Sequence, residues 1–398
     1  MVYIHIPFCG SFCTYCGFYS EIAEGRIAGQ YVGALCSEIS ARNKEAVGEP
    51  DTLYIGGGTP SVLPLSAVRK IVSTVEEQFP DCGGSSRQGF REFTFEANPE
   101  DIVRGGRPYV EGLASCGVNR ISMGVQSFDD RILKWMNRRH DAAGAVRAFN
   151  VIRESGMGNI SIDLIFGIDH MDDELWESVL DRAVSLRPQH ISAYQLSVEP
   201  ESVLASMASA GKYTEASESL CIRQYSMLCR KLAEAGYHHY EISNFALPGY
   251  EALHNSAYWR HVPYSGFGPG AHSLRIEGPE DDAGQRQYIR FWNIPDVRKY
   301  ISCYQISGRL GDGCRSETAC NIVQSERLTP EQIAIERIML GLRTDSGVEK
   351  SYLSAHTNCS GLEKMVGDGF LVPASDPSFL RIPEKHFFIS DSIIEEII

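Results

Sequence analysis

The chain is 398 residues long and 43% hydrophobic, enough for one large domain and one or two smaller ones. Its formal net charge of −14 and the lack of a basic stripe argue against a surface that follows a phosphate backbone, so no nucleic-acid partner is expected. No apolar run approaches the length of a membrane span and no signal peptide is read ahead of the first strand, so no integral membrane segment is expected.

The first predicted element is the apolar run Val2–Ile6, a strand, and directly behind it stand Cys9, Cys13 and Cys16. This C-x3-C-x2-C spacing supplies three thiolates from one tight loop. A closed zinc site wants four ligands, and the loop has no fourth cysteine or histidine; His5 lies back in the strand. A 4Fe–4S cluster held by three cysteines instead leaves one iron open to bind something else. Two other readings stand beside it. Cys13-Thr14-Tyr15-Cys16 alone could be a thioredoxin-like redox pair, which leaves Cys9 unexplained, and 12 cysteines in the chain make a chance cluster conceivable. The remaining cysteines (36, 82, 116, 221, 229, 303, 314, 320 and 359) show no second metal-like spacing and are expected mostly to be small buried hydrophobes. Thiolates ready for iron need a reducing compartment, so a cytoplasmic protein is expected.

Further strands are predicted at Thr52–Ile55, Phe93–Phe95, Arg120–Gly124, Ile160–Phe166 and Ile191–Gln195, with amphipathic helical stretches between them. The clearest helix carries Leu65, Val68, Ile71, Val72, Val75 and Phe79 on one face. Another, near Ser217–Ala235, completes a sixth strand–helix unit. Six units imply parallel strands with right-handed crossovers but fall short of the eight that close a full barrel. An α/β fold is therefore expected: an open, TIM-like partial (β/α)6 barrel over residues 1–235. Residues 236–310 read as an aromatic, Gly- and Pro-rich region packing on that barrel, with a polar surface loop over Glu277–Gln287. Residues 311–398 resume helical patterning, with Thr329-Pro330-Glu331 as a helix start and a later helix, strand, strand and helix. That order suggests a C-terminal α+β winged-helix-like module, whose expected use in so acidic a chain is packing rather than DNA binding.

Parallel barrels place their active sites at the C-terminal ends of the strands. Those positions hold the cysteine loop, Gly56-Gly57-Gly58-Thr59-Pro60, Glu96, Gln126, Asp163, and Tyr194 with Gln195. Each has an ordinary alternative: a tight turn for the glycines, a paired core carboxylate for Asp163, a helix-cap partner for Gln126. Converging on one rim, they form the polar surround that a zwitterionic amino acid, a ribose and an adenine require.

The segments YIHIPFCGSFCTYCGF (Tyr3–Phe18), YIGGGTPS (Tyr54–Ser61), FEANPED (Phe95–Asp101), RISMGVQSFD (Arg120–Asp129), NISIDLIFG (Asn159–Gly167), HYEISNFALPG (His239–Gly249) and HNSAYW (His254–Trp259) resemble, in order, one group of radical S-adenosylmethionine (SAM) proteins. That group contains oxygen-independent coproporphyrinogen III dehydrogenase and the haem chaperones. The resemblance implies a radical SAM barrel in which Cys9, Cys13 and Cys16 hold the cluster. It implies contacts to cluster-bound SAM from Tyr3, Gly57 and Glu96, with Tyr15, Gly58, Thr59, Gln126, Arg138, Asp163 and Tyr194 lining the remaining SAM space. In such proteins the cluster donates an electron to the SAM sulfonium and a 5′-deoxyadenosyl radical forms; the protein positions and shields these cofactors.

Within the group the dehydrogenase carries a further cysteine two residues past the third ligand, where this chain has Phe18, and an extra segment before its first strand. The haem chaperones lack both and carry H-N-x-x-Y-W, present here as His254 to Trp259. The resemblance therefore implies haem as a third cofactor, with His254 as a candidate axial ligand and Tyr258 and Trp259 as covering aromatics. It also implies a haem-acceptor protein as partner and a possible homodimer. The competing outcome is radical decarboxylation of coproporphyrinogen III to protoporphyrinogen IX. One departure bears on the substrate side: after strand five the group has a Pro-Gly turn, and this chain has Ile168-Asp169-His170-Met171.

Overall fold

The protein was analysed as a computed structural model that describes residues 1–22, 24–42, 50–80, 89–277, 286–310 and 322–398. Six parallel strands run through the first half: β1 (Val2–Ile6), β2 (Thr52–Gly57), β3 (Glu92–Ala97), β4 (Arg120–Gln126), β5 (Ile160–Phe166) and β6 (His190–Gln195). They lie side by side in chain order, each pair joined by a helical crossover. Every predicted strand is present; β1 and β5 have the expected bounds and the others extend by one to three residues.

Alternation along each strand sorts the side chains into two environments. On β4, Ile121, Met123 and Val125 are fully buried under the outer helices, whereas Arg120, Ser122, Gly124 and Gln126 face the barrel interior. The helix Leu65–Gln78 covers the outside with Val68, Ile71, Val72 and Val75, four of the six residues read as its apolar face. The predicted sixth-unit helix is Glu218–Glu234, started by Ser217, whose hydroxyl accepts from the Leu220 N–H at 3.3 Å.

The sheet continues past both ends of the six-strand set, to nine strands. Ser265–Phe267 pairs parallel with β1, and Asn244–Ala246 pairs antiparallel with β6, followed by His238–Glu241. The barrel is thus open, and residues past 235 supply strands to its two edges. This differs from the loop-like reading of that region, where Gly and Pro mask short strands. It also holds the helix Leu253–Trp259 and an antiparallel sheet of His272–Glu277, Gln287–Asn293 and Val323–Leu328, so this sheet reaches beyond residue 310. Most of the expected surface loop, residues 278–285, lies outside the described residues. The buried Glu38 carboxylate ties this region to the first helix, Gly25–Arg42, accepting from the Gly268 N–H (2.8 Å), the Asn293 amide (2.7 Å), the Tyr300 hydroxyl (2.5 Å) and Arg42.

The C-terminal part follows the order helix (Pro330–Leu342), strand (Val348–Glu349), two helices (Lys350–His356, Cys359–Gly367), two strands (Val372–Pro373, Phe379–Arg381) and helix (Ser390–Ile397). Its three strands form one antiparallel sheet, the winged-helix arrangement. The expected start at Thr329 is a full capping box with Gln332.

Candidate functional site

A cavity of about 1050 Å³ opens at the C-terminal ends of the strands and runs into the barrel. Cys9, Cys13 and Cys16 line its mouth, half-buried and free of disulfides. The loop is held from three sides. Its Thr14 N–H donates to the Met136 carbonyl at 3.2 Å, the Leu204 N–H donates to the Thr14 carbonyl at 2.7 Å, and the Asn137 amide donates to the Phe12 carbonyl at 2.7 Å. Leu204 belongs to Val203–Ser209, a helix the sequence reading left out.

The glycine turn braces the loop from below. The Gly58 N–H donates to the Ile6 carbonyl at 2.8 Å and the Thr59 N–H to the Phe8 carbonyl at 2.7 Å. A Cβ at residue 58 would stand 2.8 Å from the Phe8 oxygen and 2.9 Å from the Ile6 oxygen, so only glycine allows this approach. Gly57, at φ +110°, turns its N–H to Glu96 Oε2 at 3.0 Å.

Two of the sulfurs meet hydrogen-bond donors, one of them cationic. The Thr59 hydroxyl donates to Cys9 Sγ at 3.4 Å, and the Arg138 guanidinium donates to Cys13 Sγ at 3.3 Å. Arg138 also donates to Asn98 Oδ1 and to the Gly124 carbonyl, both at 2.7 Å, while its buried Nε has no partner. Burial pushes the Cys9 thiol up and the Cys16 thiol up to about 11, so both are protonated until a metal replaces the proton. Three soft donors on a braced loop, beside an unpaired buried N–H, fit an iron–sulfur cluster.

Deeper in, Glu96 accepts from the Tyr54 hydroxyl at 2.6 Å, and Asp163 accepts from the Ser122 hydroxyl at 3.3 Å. Burial raises Glu96 to about 7 and Asp163 to about 6, against the help of these hydrogen bonds and of Arg120. Carboxyl groups held this high are poised to ionise when a cationic ligand enters the cavity and supplies the opposite charge. Gln126, at φ +67° where β4 loses register with β5, lines the same space, as do Tyr15 and Tyr194. Bent backbone at a non-glycine residue is a frequent mark of a working site.

Nine of the ten residues assigned to SAM by resemblance thus line one cavity; Tyr3 does not. Its hydroxyl hydrogen-bonds His5 Nδ1 at 3.0 Å, and its ring lies 6.1 Å from that of Tyr54. The sequence reading missed Tyr54, Arg120 and Asn255, all of which face the cavity. Counting back from Gln126 in twos would have found Arg120.

His254 lies elsewhere. It sits against the N-terminal ends of β2 and β3, 1% exposed, with Nδ1 2.8 Å from the Thr52 hydroxyl and Nε2 3.1 Å from the Tyr258 hydroxyl. Glu92 accepts from the N–H groups of Leu253 (2.7 Å) and His254 (3.0 Å), fixing the start of the helix. Burial pushes the imidazole down to about 3, so it is neutral. Tyr258 packs edge-on to His254 and Tyr264, and Trp259 is half-buried. As seated, neither nitrogen of His254 is free for iron, and the neighbouring Asn255 is the helix residue that reaches the cavity.

Of the other cysteines, Cys221 and Cys303 are buried as expected, but Cys36, Cys116 and Cys229 are half-buried and Cys359 is exposed. Cys82, Cys314 and Cys320 lie outside the described residues.

Comparison with known proteins agrees with this geometry. The Radical SAM superfamily pattern matches residues 3–183. "Heme chaperone HemW" of Synechocystis sp. is 33% identical over 361 residues, covering 87% of this chain and 78% of that protein. The Bacillus subtilis protein of the same name is 33% identical over 350 residues, covering 87% and 84%. The solved structure of coproporphyrinogen III oxidase (HemN) from Escherichia coli, described as a radical SAM enzyme, superposes with a TM-score of 0.75 over 99% of this chain and 89% of that one. At 22% identity it shares the fold. The family implies a 4Fe–4S cluster and SAM, and the donor set of the cavity suits both. The chain belongs to the HemW family of radical SAM proteins.

Proposed function

We propose that the chain is a cytoplasmic haem chaperone that holds a 4Fe–4S cluster and SAM in the barrel cavity and passes haem to an acceptor protein. Cys9, Cys13 and Cys16 hold the cluster, and Gly57, Gly58, Thr59, Glu96, Gln126, Arg138, Asp163 and Tyr194 surround SAM. Bound there, the cluster supplies an electron and an open iron site for SAM. The chain's own work is placement: Arg138 carries a fixed positive charge beside the Cys13 sulfur, and Glu96 and Asp163 balance cationic groups of SAM.

The observation that carries the haem reading is Phe18. It stands two residues past Cys16 on the cavity lip, 74% exposed, where the resemblance gives the coproporphyrinogen dehydrogenases a further cysteine. A ring replaces the extra thiol, which disfavours decarboxylation and offers an apolar contact to a macrocycle. His254 joins haem binding only if the helix Leu253–Trp259 swings off the strand ends, giving up Thr52, or if Tyr258 turns away from Nε2 within the helix.

Anoxically reconstituted protein titrated with haem, in parallel with a coproporphyrinogen III conversion assay containing SAM and reductant, tests the proposal. A shifted Soret band without protoporphyrinogen IX is expected. An unchanged haem spectrum, or product formation, overturns it.

A further inference from the structure

Among the described residues, one group of cysteine, histidine and acidic side chains brings three ligand atoms within 4.8 Å of one another, and it lies outside the barrel cavity. It consists of Cys229, His239 and Glu384. They come from separate elements: Cys229 from the helix Glu218–Glu234, His239 from the edge strand His238–Glu241, and Glu384 from the turn Glu384–Ile389 that precedes the last helix. We propose that these three residues form a zinc-type divalent metal site that fastens the C-terminal module to the edge of the barrel.

The donor geometry carries the assignment. His239 Nδ1 stands 3.0 Å from Glu384 Oε1 and 3.8 Å from Cys229 Sγ. Around a tetrahedral zinc, with nitrogen and oxygen at about 2.0 Å and sulfur at about 2.3 Å, those edges are roughly 3.3 and 3.5 Å. These two edges match to within a few tenths of an ångström, and the third pair, Cys229 and Glu384, lies within 4.8 Å. The second ring nitrogen fits as well: Nε2 lies 3.4 Å from both the Ile242 carbonyl and the Tyr225 hydroxyl. The hydroxyl proton goes to that same carbonyl at 2.9 Å, so both can accept from Nε2. With the proton on Nε2, the Nδ1 lone pair points at the other two donors, the outer arrangement that orients metal-ligating histidines. The ring is held there, 4.0 Å from Phe245 and stacked on it at 15°. A divalent cation would be held by the Glu384 carboxylate and by the Cys229 thiolate, the thiol proton leaving to solvent as the metal binds. Glu384 is half-exposed, which leaves the fourth position to water.

The alternative is a plain His239–Glu384 hydrogen bond beside an inert thiol. To separate the two, cluster-loaded protein is dialysed anoxically against buffered zinc(II), with zinc, iron and sulfide per chain measured together. The expected result is one zinc per chain in the wild type, with affinity lowered about tenfold or more in Cys229→Ala and in Glu384→Gln. Cobalt(II) in place of zinc gives a sulfur-to-cobalt charge-transfer band that Cys229→Ala lacks. Equal iron and sulfide in all three proteins separates this site from the cluster loop. If Cys229→Ala loses its cluster, the Glu384→Gln comparison decides. Zinc bound equally by all proteins, or by none, overturns the proposal.

Discussion

The two ends of the barrel carry equally conspicuous sequence signatures and meet opposite physical fates. At the C-terminal end, the sulfurs of Cys9, Cys13 and Cys16 are half-buried, touched by a hydroxyl and a guanidinium, and left with capacity to bind. At the N-terminal end, His254 has both nitrogens engaged and its backbone N–H capped by Glu92. A motif marks residues worth placing; whether they act on a ligand or on the fold depends on whether their valences are already filled. The cysteine loop is a site in waiting, whereas HNSAYW, as folded, is a seal across the strand ends.

The contrast can be broken most decisively at the loop. Cys13→Ala removes one of three ligands, and iron and acid-labile sulfide are expected to fall to near background after reconstitution; wild-type sulfide in this variant would break the assignment. Gly58→Ala comes next. Its Cβ meets two carbonyl oxygens of a braced backbone, an overpacking expected to cost about 1–3 kcal/mol, read from denaturant midpoints, and to slow cluster loading.

At the sealed end, His254→Ala leaves Thr52 and Tyr258 without their partner. It is expected to cost about 1–3 kcal/mol of stability and leave iron and sulfide content unchanged. Loss of haem binding at unchanged stability would instead mean that the seal opens for haem.

The smallest effect concerns Glu96. Its carboxyl is raised by burial to about 7, so the folded chain holds a proton there that the unfolded chain has released above its ordinary value of 4.5. This contribution is therefore present at acid pH and is lost as pH rises through about 7. Glu96→Gln does not titrate, so its stability relative to wild type should climb between those limits in chemical denaturation at stepped pH. A flat difference would mean that Glu96 is not held protonated.

Much of this was legible because the barrel repeats a simple rule. Alternation separates Ile121, Met123 and Val125 from Arg120, Ser122 and Gln126, and the C-terminal rim collects chemistry wherever a parallel strand ends. The glycine turn declared itself by composition. Burial of His254 could not be read, because it depends on Thr52 and Glu92 about 200 and 160 positions away. Tyr3 alternates correctly, yet its hydroxyl goes to His5 and its ring lies beside Tyr54, which lines the cavity in its place. Cys229 was set aside for want of spacing, since its companions come from a sheet edge and the C-terminal module. The short strands after residue 235 were hidden by their brevity and by the glycines and prolines between them.

The two backbone hydrogen bonds from Gly58 and Thr59 to Ile6 and Phe8 also bear on the order of assembly. They join backbone to backbone, so the shape of the socket is carried by the chain itself and needs no bond to a cluster. A donor delivering a ready-made cluster would meet a receptacle whose ordering entropy has already been spent during folding. Filling and emptying should then be reversible events on a standing scaffold, with chelators stripping the metal and leaving the barrel intact.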